Sequence, residues 1–224
     1  MGSEPMRDFS LSSICSITAY AVLFAGRVFA ASPAEHIRLD NPNAFDVHGR
    51  TLAIENGAVY LDATDGAGVA WLKGVQFVNG RISVEVQGAD RMGKSFVGLA
   101  FHASPDRKRS DVVYVRPFNF QASDPQRRAH ALQYMATPDH DWELLRLRFP
   151  GKYEAAITPA PKPEDWVRLV IEVDGGKVRV FIYDQPSPAL TVDLLNTSGG
   201  DALGLWVGNN SDGRFRNLRV AHMD

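Results

Sequence analysis

The sequence predicts an all-β fold, a sandwich of two antiparallel sheets. Three observations carry that reading. Apolar and polar residues alternate over short runs, most clearly over residues 81–87, where Ile82, Val84 and Val86 take one side and Ser83, Glu85 and Gln87 the other. Successive side chains of a strand point to opposite faces, so this pattern gives one buried and one wetted face. Turn signals punctuate the runs at Asn56-Gly57, Asn79-Gly80 and Asp174-Gly175-Gly176, and such residues accept the positive φ that tight hairpins need. No stretch beyond residue 30 holds a helical period long enough for a long helix.

Taken in order, strands over 51–54 and 58–61 flank the Glu55-Asn56-Gly57 turn, and residues 62–68 form a turn-rich link. A run over 75–77 leads through Asn79-Gly80 into the alternating strand 81–87. The centre of the chain is a pair of strands over 95–102 and 111–118, joined by the polar loop 103–110. In the first, Val97, Leu99 and Phe101 suit the core, leaving Phe96, Gly98, Ala100 and His102 on the other face. In the second, Val113 and Val115 suit the core, leaving Tyr114 and Arg116 opposite. A polar loop over 119–128 and a short strand over 130–135 follow. Residues 166–173 and 178–183 form a hairpin, and strands over 189–194, 202–207 and 217–221 close the chain. The total is about eleven to thirteen short strands, with no cut between domains.

The stretch from Ala136 to Pro163 breaks the pattern. Pro138, Pro150, Pro159, Pro161 and Gly151 prevent regular structure, yet Trp142, Leu145, Leu147, Phe149 and Tyr153 are too apolar for a free loop. The segment is expected to fold over the sheet face as a lid, with one helical turn near residues 141–147, its leucines packed and Arg146 or Tyr153 turned inward.

The N-terminal thirty residues read as a signal peptide. Arg7 precedes an apolar run over 11–26, and Val28-Phe29-Ala30 makes a small-x-small site, so cleavage is expected near Ala30 or Ala31. An uncleaved anchor is the alternative reading, although the run is at the short end of the roughly 17–25 residues that span a bilayer. The expected product is periplasmic or extracellular, has no membrane span and contains no cysteine, since Cys15 is the only one. Residues 31–45 read as an N-terminal extension, with His36 outside the fold, and the sandwich is expected over 46–224. The net charge is −2 and the pI near 6.3, which predicts neither nucleic acid nor an anionic membrane as partner. The runs at Arg107-Lys108-Arg109 and Arg127-Arg128 read as solvated loop tips.

The series 77–85, Gly98-Leu-Ala-Phe-His102, residues 166–173, Gly204-Leu-Trp-Val-Gly208 and residues 215–220 resembles the concanavalin A-like lectin/glucanase superfamily over nearly the whole chain. The likeness is nearest to laminin-G-like and 3-keto-disaccharide hydrolase-type domains of secreted bacterial proteins. It implies a jelly-roll sandwich with carbohydrate on the concave sheet face. It does not choose between binding and hydrolysis, because the fold hosts both. The Glu-x-Asp-x-Glu strand of the laminarinase-type enzymes is missing; the nearest run, Glu172-Val-Asp174-Gly-Gly176, turns a hairpin instead.

The expected ligand groove contains His102, Tyr114, Arg116, Gln133 and Trp206, with Asn119, Asn209 and Asn210 at the rim and Trp142 and Arg146 from the lid. Aromatic rings suit the apolar C–H faces of a sugar, and amides and a guanidinium suit its hydroxyls. The same residues have a purely structural reading, with Tyr114 and Trp206 as ordinary sheet residues and Arg116 in an ion pair. The expected partner is a mono- or disaccharide. A carbohydrate hydrolase with His102 or Tyr114 as the proton-transfer group is the alternative, and a protein-interaction module the further one. No zinc or nucleotide motif is present, and no metal ligand or cofactor is assigned; calcium on backbone carbonyls, as in laminin-G-like folds, is compatible with the resemblance.

Overall fold

The computed structural model describes residues 1–2, 33–196 and 199–223. The expected signal peptide and its cleavage site fall outside the described residues, apart from Met1 and Gly2. Among the described residues, no helix is long and apolar enough to cross a membrane.

The chain runs through β1 (Glu35–His36), β2 (Phe45–His48), β3 (Leu52–Glu55), β4 (Ala58–Leu61), β5 (Gly68–Gln76), β6 (Gly80–Gln87), β7 (Val97–Ala103) and β8 (Ser110–Val115). A short helix α1 (Pro125–Ala129) precedes β9 (Leu132–Thr137), and α2 (Trp142–Arg148) precedes β10 (Glu154–Ala155). Then come β11 (Val167–Asp174), β12 (Lys177–Ile182), β13 (Leu190–Asp193), β14 (Ala202–Val207) and β15 (Gly213–His222). One sheet has the order β13-β12-β11-β6-β15-β4-β3, with β1 added against β15; the other has the order β10-β9-β8-β7-β14-β5-β2. The expected two-sheet antiparallel sandwich is the observed fold.

Alternation explains how the sheets meet. Ile82, Val84 and Val86 of β6 sit opposite Ile171, Leu169 and Val167 of β11, and all are buried. From the seven-stranded sheet, Val97, Leu99, Val113, Val115, Leu132 and Leu205 face them across the core. Each such side chain contributes about 1.5–3 kcal/mol on leaving water. The outer face of the eight-stranded sheet carries ion pairs instead, among them Arg81–Glu172 at 2.8 Å, Arg216–Glu85 at 2.6 Å and Arg214–Glu55 at 3.0 Å. In water, such pairs are worth about 0–1 kcal/mol each. Their role is to keep that face wet.

Among the described residues there are fifteen strands where about eleven to thirteen are expected, β2 and β10 among the additions, and three further differences have a clear cause. Within the expected extension, Glu35 pairs with Val220, His36 with Arg219, and Phe45 is buried, so these residues join the fold. Both β1 residues are exposed, so no apolar alternation announces the strand. Second, β5 begins at Gly68, within the expected link, because Gly68 to Leu72 shows no alternation: Ala70, Trp71 and Leu72 are buried in succession. Third, the loop expected over 119–128 contains α1, started by Asp124, whose carboxylate accepts from the Gln126 N–H, with Pro125 in the first turn.

Candidate functional site

The site lies on the outer face of the seven-stranded sheet. Across β9, β8, β7, β14 and β5 one register line reads Gln133, Tyr114, Gly98, Trp206 and Val69. Gly98 is the key to this line. A Cβ there would overlap the Val113 carbonyl oxygen and the Tyr114 backbone. With no side chain between them, the Tyr114 and Trp206 rings close to 4.9 Å between centroids, tilted by 38°. Phe96 meets Tyr114 edge-on at 6.0 Å and Phe118 at 5.6 Å. The result is an aromatic floor.

Arg116 follows Val115 at the end of β8 and folds back over this floor, with only 4% of its surface exposed. Its guanidinium donates to the Tyr114 hydroxyl at 2.7 Å, to Gln133 Oε1 at 3.2 Å and to the His130 carbonyl at 2.8 Å. It also lies 4.9 Å from the Tyr114 ring, 5.8 Å from that of Phe96 and 5.8 Å from that of Trp142. Every one of these partners is neutral, so the ion pair of the structural reading is not formed. Burial draws the guanidinium below its ordinary value, against the neighbouring Tyr114. Burial likewise pushes the Tyr114 hydroxyl up to about 12, against the pull of Arg116. At neutral pH Tyr114 is therefore a protonated phenol. Its oxygen accepts from Arg116, which leaves its own proton for another acceptor.

The edge of the site is made by β10 and α2. Glu154 pairs with Gln133 across the β9–β10 ladder, and Arg146 of α2 donates to both of its carboxylate oxygens, with Nη2 at 2.7 Å from Oε2. His130 Nδ1 lies 2.8 Å from Glu154 Oε2, yet it is out of line for a proper hydrogen bond. Burial lowers the His130 imidazole from its ordinary value; Glu154 opposes this and Arg146 and Arg116 reinforce it. Asp141 caps α2 through the Leu144 N–H at 2.7 Å, as the expected turn over 141–147 requires. Trp142, 40% exposed, then stands over the floor with Arg146 at 4.9 Å from its ring.

Two adjoining recesses result, sharing Phe96 and Trp142 as walls. The aromatic one, of about 230 Å³, is lined by Tyr114, Trp206, Met135, Gly208 and Asn209 among others. The basic one, of about 280 Å³, is lined by Arg116, Arg127, Arg146, His130, Asn119 and Phe118 among others.

The structure thus gathers Tyr114, Arg116, Gln133, Trp142, Arg146, Trp206, Asn119 and Asn209 at one place. It does not bring His102 there. Between Ala100 and Ala103 the β7–β14 register slips, and His102 takes a positive φ of 53°. This bulge moves its side chain off the expected face. Only 5% exposed, His102 stacks on Phe77 at 6.0 Å, with Nδ1 3.0 Å from Asp111 Oδ2 and Nε2 2.7 Å from the Val78 carbonyl. Asp111 Oδ1 accepts from the Tyr134 hydroxyl at 2.6 Å and the Asn196 N–H at 3.3 Å. That histidine is a buried strut.

Other expected members are present with altered duties. Gln133 spends its amide on the Tyr134 and Tyr153 carbonyls at 2.8 and 3.1 Å, so it braces Arg116. Asn209 Oδ1 accepts from Gly66 N–H at 2.7 Å and from Asn210 Nδ2 at 3.2 Å. The lid expectation holds for Trp142, Arg146 and Leu145, which is buried, but Leu147 is 80% exposed and Tyr153 stacks on Tyr134 at 5.9 Å instead of entering the recess. Sequence reasoning missed His130 and Arg127. The Asp124-Pro125 start of α1 was the available signal, since it places both near Asn119: Arg127 donates to Asn119 Oδ1 at 3.2 Å and to the Phe118 carbonyl at 2.7 Å. Among the described residues, no three His, Cys, Asp or Glu side chains gather as a metal set.

No protein-family profile matches the sequence, and no curated protein matches it significantly. Solved structures do. The chain is similar to the carbohydrate-binding module CBM66 from Bacillus subtilis, at 14% identity and a TM-score of 0.56, covering 78% of this chain and 93% of that one. It is similar to a Bacillus subtilis protein of unknown function with a galectin-like fold, at 15% identity and a TM-score of 0.57, covering 87% and 96%. It is also similar to the exoplasmic/lumenal domain of VIP36 in its Ca2+/Man3GlcNAc-bound form, at 12% identity and a TM-score of 0.54, covering 84% and 87%. The shared fold is an all-β sandwich of two antiparallel sheets, of the galectin-like and concanavalin A-like type. At these identities the likeness concerns the fold alone.

Proposed function

We propose that this chain is an exported carbohydrate-binding protein whose ligand sits against the outer face of the seven-stranded sheet. The observation that carries the reading is the floor made by Tyr114, Trp206 and Phe96 beside the fixed Arg116 guanidinium. Apolar ring faces and preset donors are what a sugar presents a match for. Each recess falls short of the ~300–1,000 Å³ that holds a drug-sized ligand, which suits a mono- or disaccharide. Neighbours named for carbohydrate binding support the reading, as does the apolar N-terminal run for export.

Binding is favoured over the 3-keto-disaccharide hydrolase-type alternative by the state of the carboxylates. Glycoside hydrolysis normally uses two across the scissile bond. Here Glu154 is clamped by Arg146, Asp141 caps a helix and Asp111 lies in the His102 network. Calorimetric titration of neutral mono- and disaccharides tests the proposal, with saturable heat expected from the wild type and at least about a tenfold loss in Trp142→Ala. Binding that is unchanged in both Trp142→Ala and Trp206→Phe removes the recess from consideration.

A further inference from the structure

The basic recess differs in charge from its aromatic neighbour, and the carbohydrate reading does not account for the difference. Three guanidinium groups line it, those of Arg116, Arg127 and Arg146, together with His130. Only Arg146 is answered by a carboxylate, that of Glu154. Arg127 donates to a carbonyl and an amide oxygen, and Arg116 to a carbonyl, a phenol and an amide oxygen. Among the described residues, neither lies within 4.0 Å of an acidic group. Arg116 is the sharper case, because a charge that is 96% buried is ordinarily paired. Among the described residues, its three bonds use two of its nitrogens and Nε makes none, and the side chain lines an open recess. Among the described residues, that leaves Nε–H and one Nη1 hydrogen of Arg116 and both Nη1 hydrogens of Arg127 to donate to an oxyanion.

We infer that the basic recess is an anion subsite for an acidic sugar, whose ring rests on the aromatic floor while its ring-borne carboxylate enters beside Arg116 and Arg127. The inference rests on the carbohydrate reading and deepens it. The shared chemistry is an anionic group on a sugar; a uronic acid and a sugar sulfate are its two sources, and the small volume of the recess, about 280 Å³, favours the more compact carboxylate. Asn119 at the wall and the free Tyr114 proton supply neutral contacts to hydroxyls beside the charge. Glu154 is no obstacle, because Arg146 holds both of its oxygens.

The test is calorimetric titration of the folded protein at low salt with galacturonate, glucuronate and mannuronate mono- and disaccharides, beside their neutral parents and galactose 6-sulfate. The acid is expected to bind about tenfold or more tightly than its parent, with the advantage shrinking as salt is raised. Arg127→Gln, at the rim, is expected to narrow the acid-to-neutral ratio several-fold. Arg116→Lys, which keeps the charge and loses the spare Nε–H donor, is expected to narrow it for both acids. Thermal unfolding of each variant establishes that it is folded. Equal affinity for acid and parent overturns the anion subsite and leaves the carbohydrate reading standing. Binding of the sulfate in preference to every uronate overturns the assignment to a carboxylate. No binding of any of these sugars overturns both.

Discussion

The two sides of the seven-stranded sheet each carry a buried polar cluster, and the clusters are built to opposite ends. On the inner side Asp111, His102, Tyr134 and Asn196 satisfy one another: each Asp111 oxygen accepts, and both His102 nitrogens lie against oxygens. On the outer side Arg116, Tyr114, Gln133, His130, Glu154 and Arg146 form a chain of contacts that opens into a recess and leaves donors over. A closed cluster fixes a fold, since every removed bond strands a partner away from water. An open cluster keeps its spare donors for something else. The strands β8 and β9 supply both, Asp111 and Tyr134 from one face and Tyr114 and Gln133 from the other.

The sharpest way to break the comparison is Asp111→Ala. It removes the acceptor of the Tyr134 hydroxyl and the carboxylate beside the His102 ring together, and is expected to cost about 3–5 kcal/mol in urea unfolding. Sugar affinity per folded molecule should be unchanged. Gly98→Ala comes next, at about 1–3 kcal/mol, because its Cβ meets the Val113 and Tyr114 backbone. Unlike the first change it should also weaken sugar binding, by separating Tyr114 from Trp206. Trp142→Ala is the mirror image of Asp111→Ala. An exposed ring on a short helix should move stability by no more than about 1 kcal/mol while sugar affinity falls at least about tenfold.

A subtler contrast concerns pH. His130 is held below its ordinary value by burial, with Arg146 and Arg116 adding to the effect and Glu154 opposing it. Below the ordinary histidine value of 6.5 the unfolded chain therefore binds more protons than the folded one. Its contribution to stability is present above pH 6.5 and is lost as pH falls through the window beneath it. His130→Gln should flatten that part of the curve in unfolding measured from pH 7 to 5, and an unaltered slope would sink the assignment. Smallest of all is Leu147→Ser, expected within about 0.5 kcal/mol of wild type, since the side chain is 80% exposed.

Legibility in the sequence followed local periodicity. Residues 81–87 and the 166–183 hairpin were readable because one face is buried and the other wetter, whereas 202–207, buried on both faces, was readable as a short apolar run. Tyr114, Arg116, Gln133 and Trp206 were placed on one face by the same counting. Counting failed at His102, where one extra residue in β7 shifts the phase and no residue type marks the bulge. It failed at β1, whose pairing depends on backbone bonds to β15 and on no apolar side chain. It also failed at Arg127, which read as a solvated tip, and at His130, which read only as the start of a strand; a helix start brought both to the recess. Alternation reports burial; it does not report a slipped register or the return of a loop.

The pairing of Glu35 with Val220 has a practical consequence. The two ends of the folded region lie side by side on the eight-stranded sheet, while the aromatic floor opens on the opposite sheet. A linker joined at either flank would therefore tether the protein by its back. Immobilised on a sensor chip or bead in that orientation, it should display its recess to solution, and a fusion partner at either end should leave the approach to Trp142 and Trp206 clear.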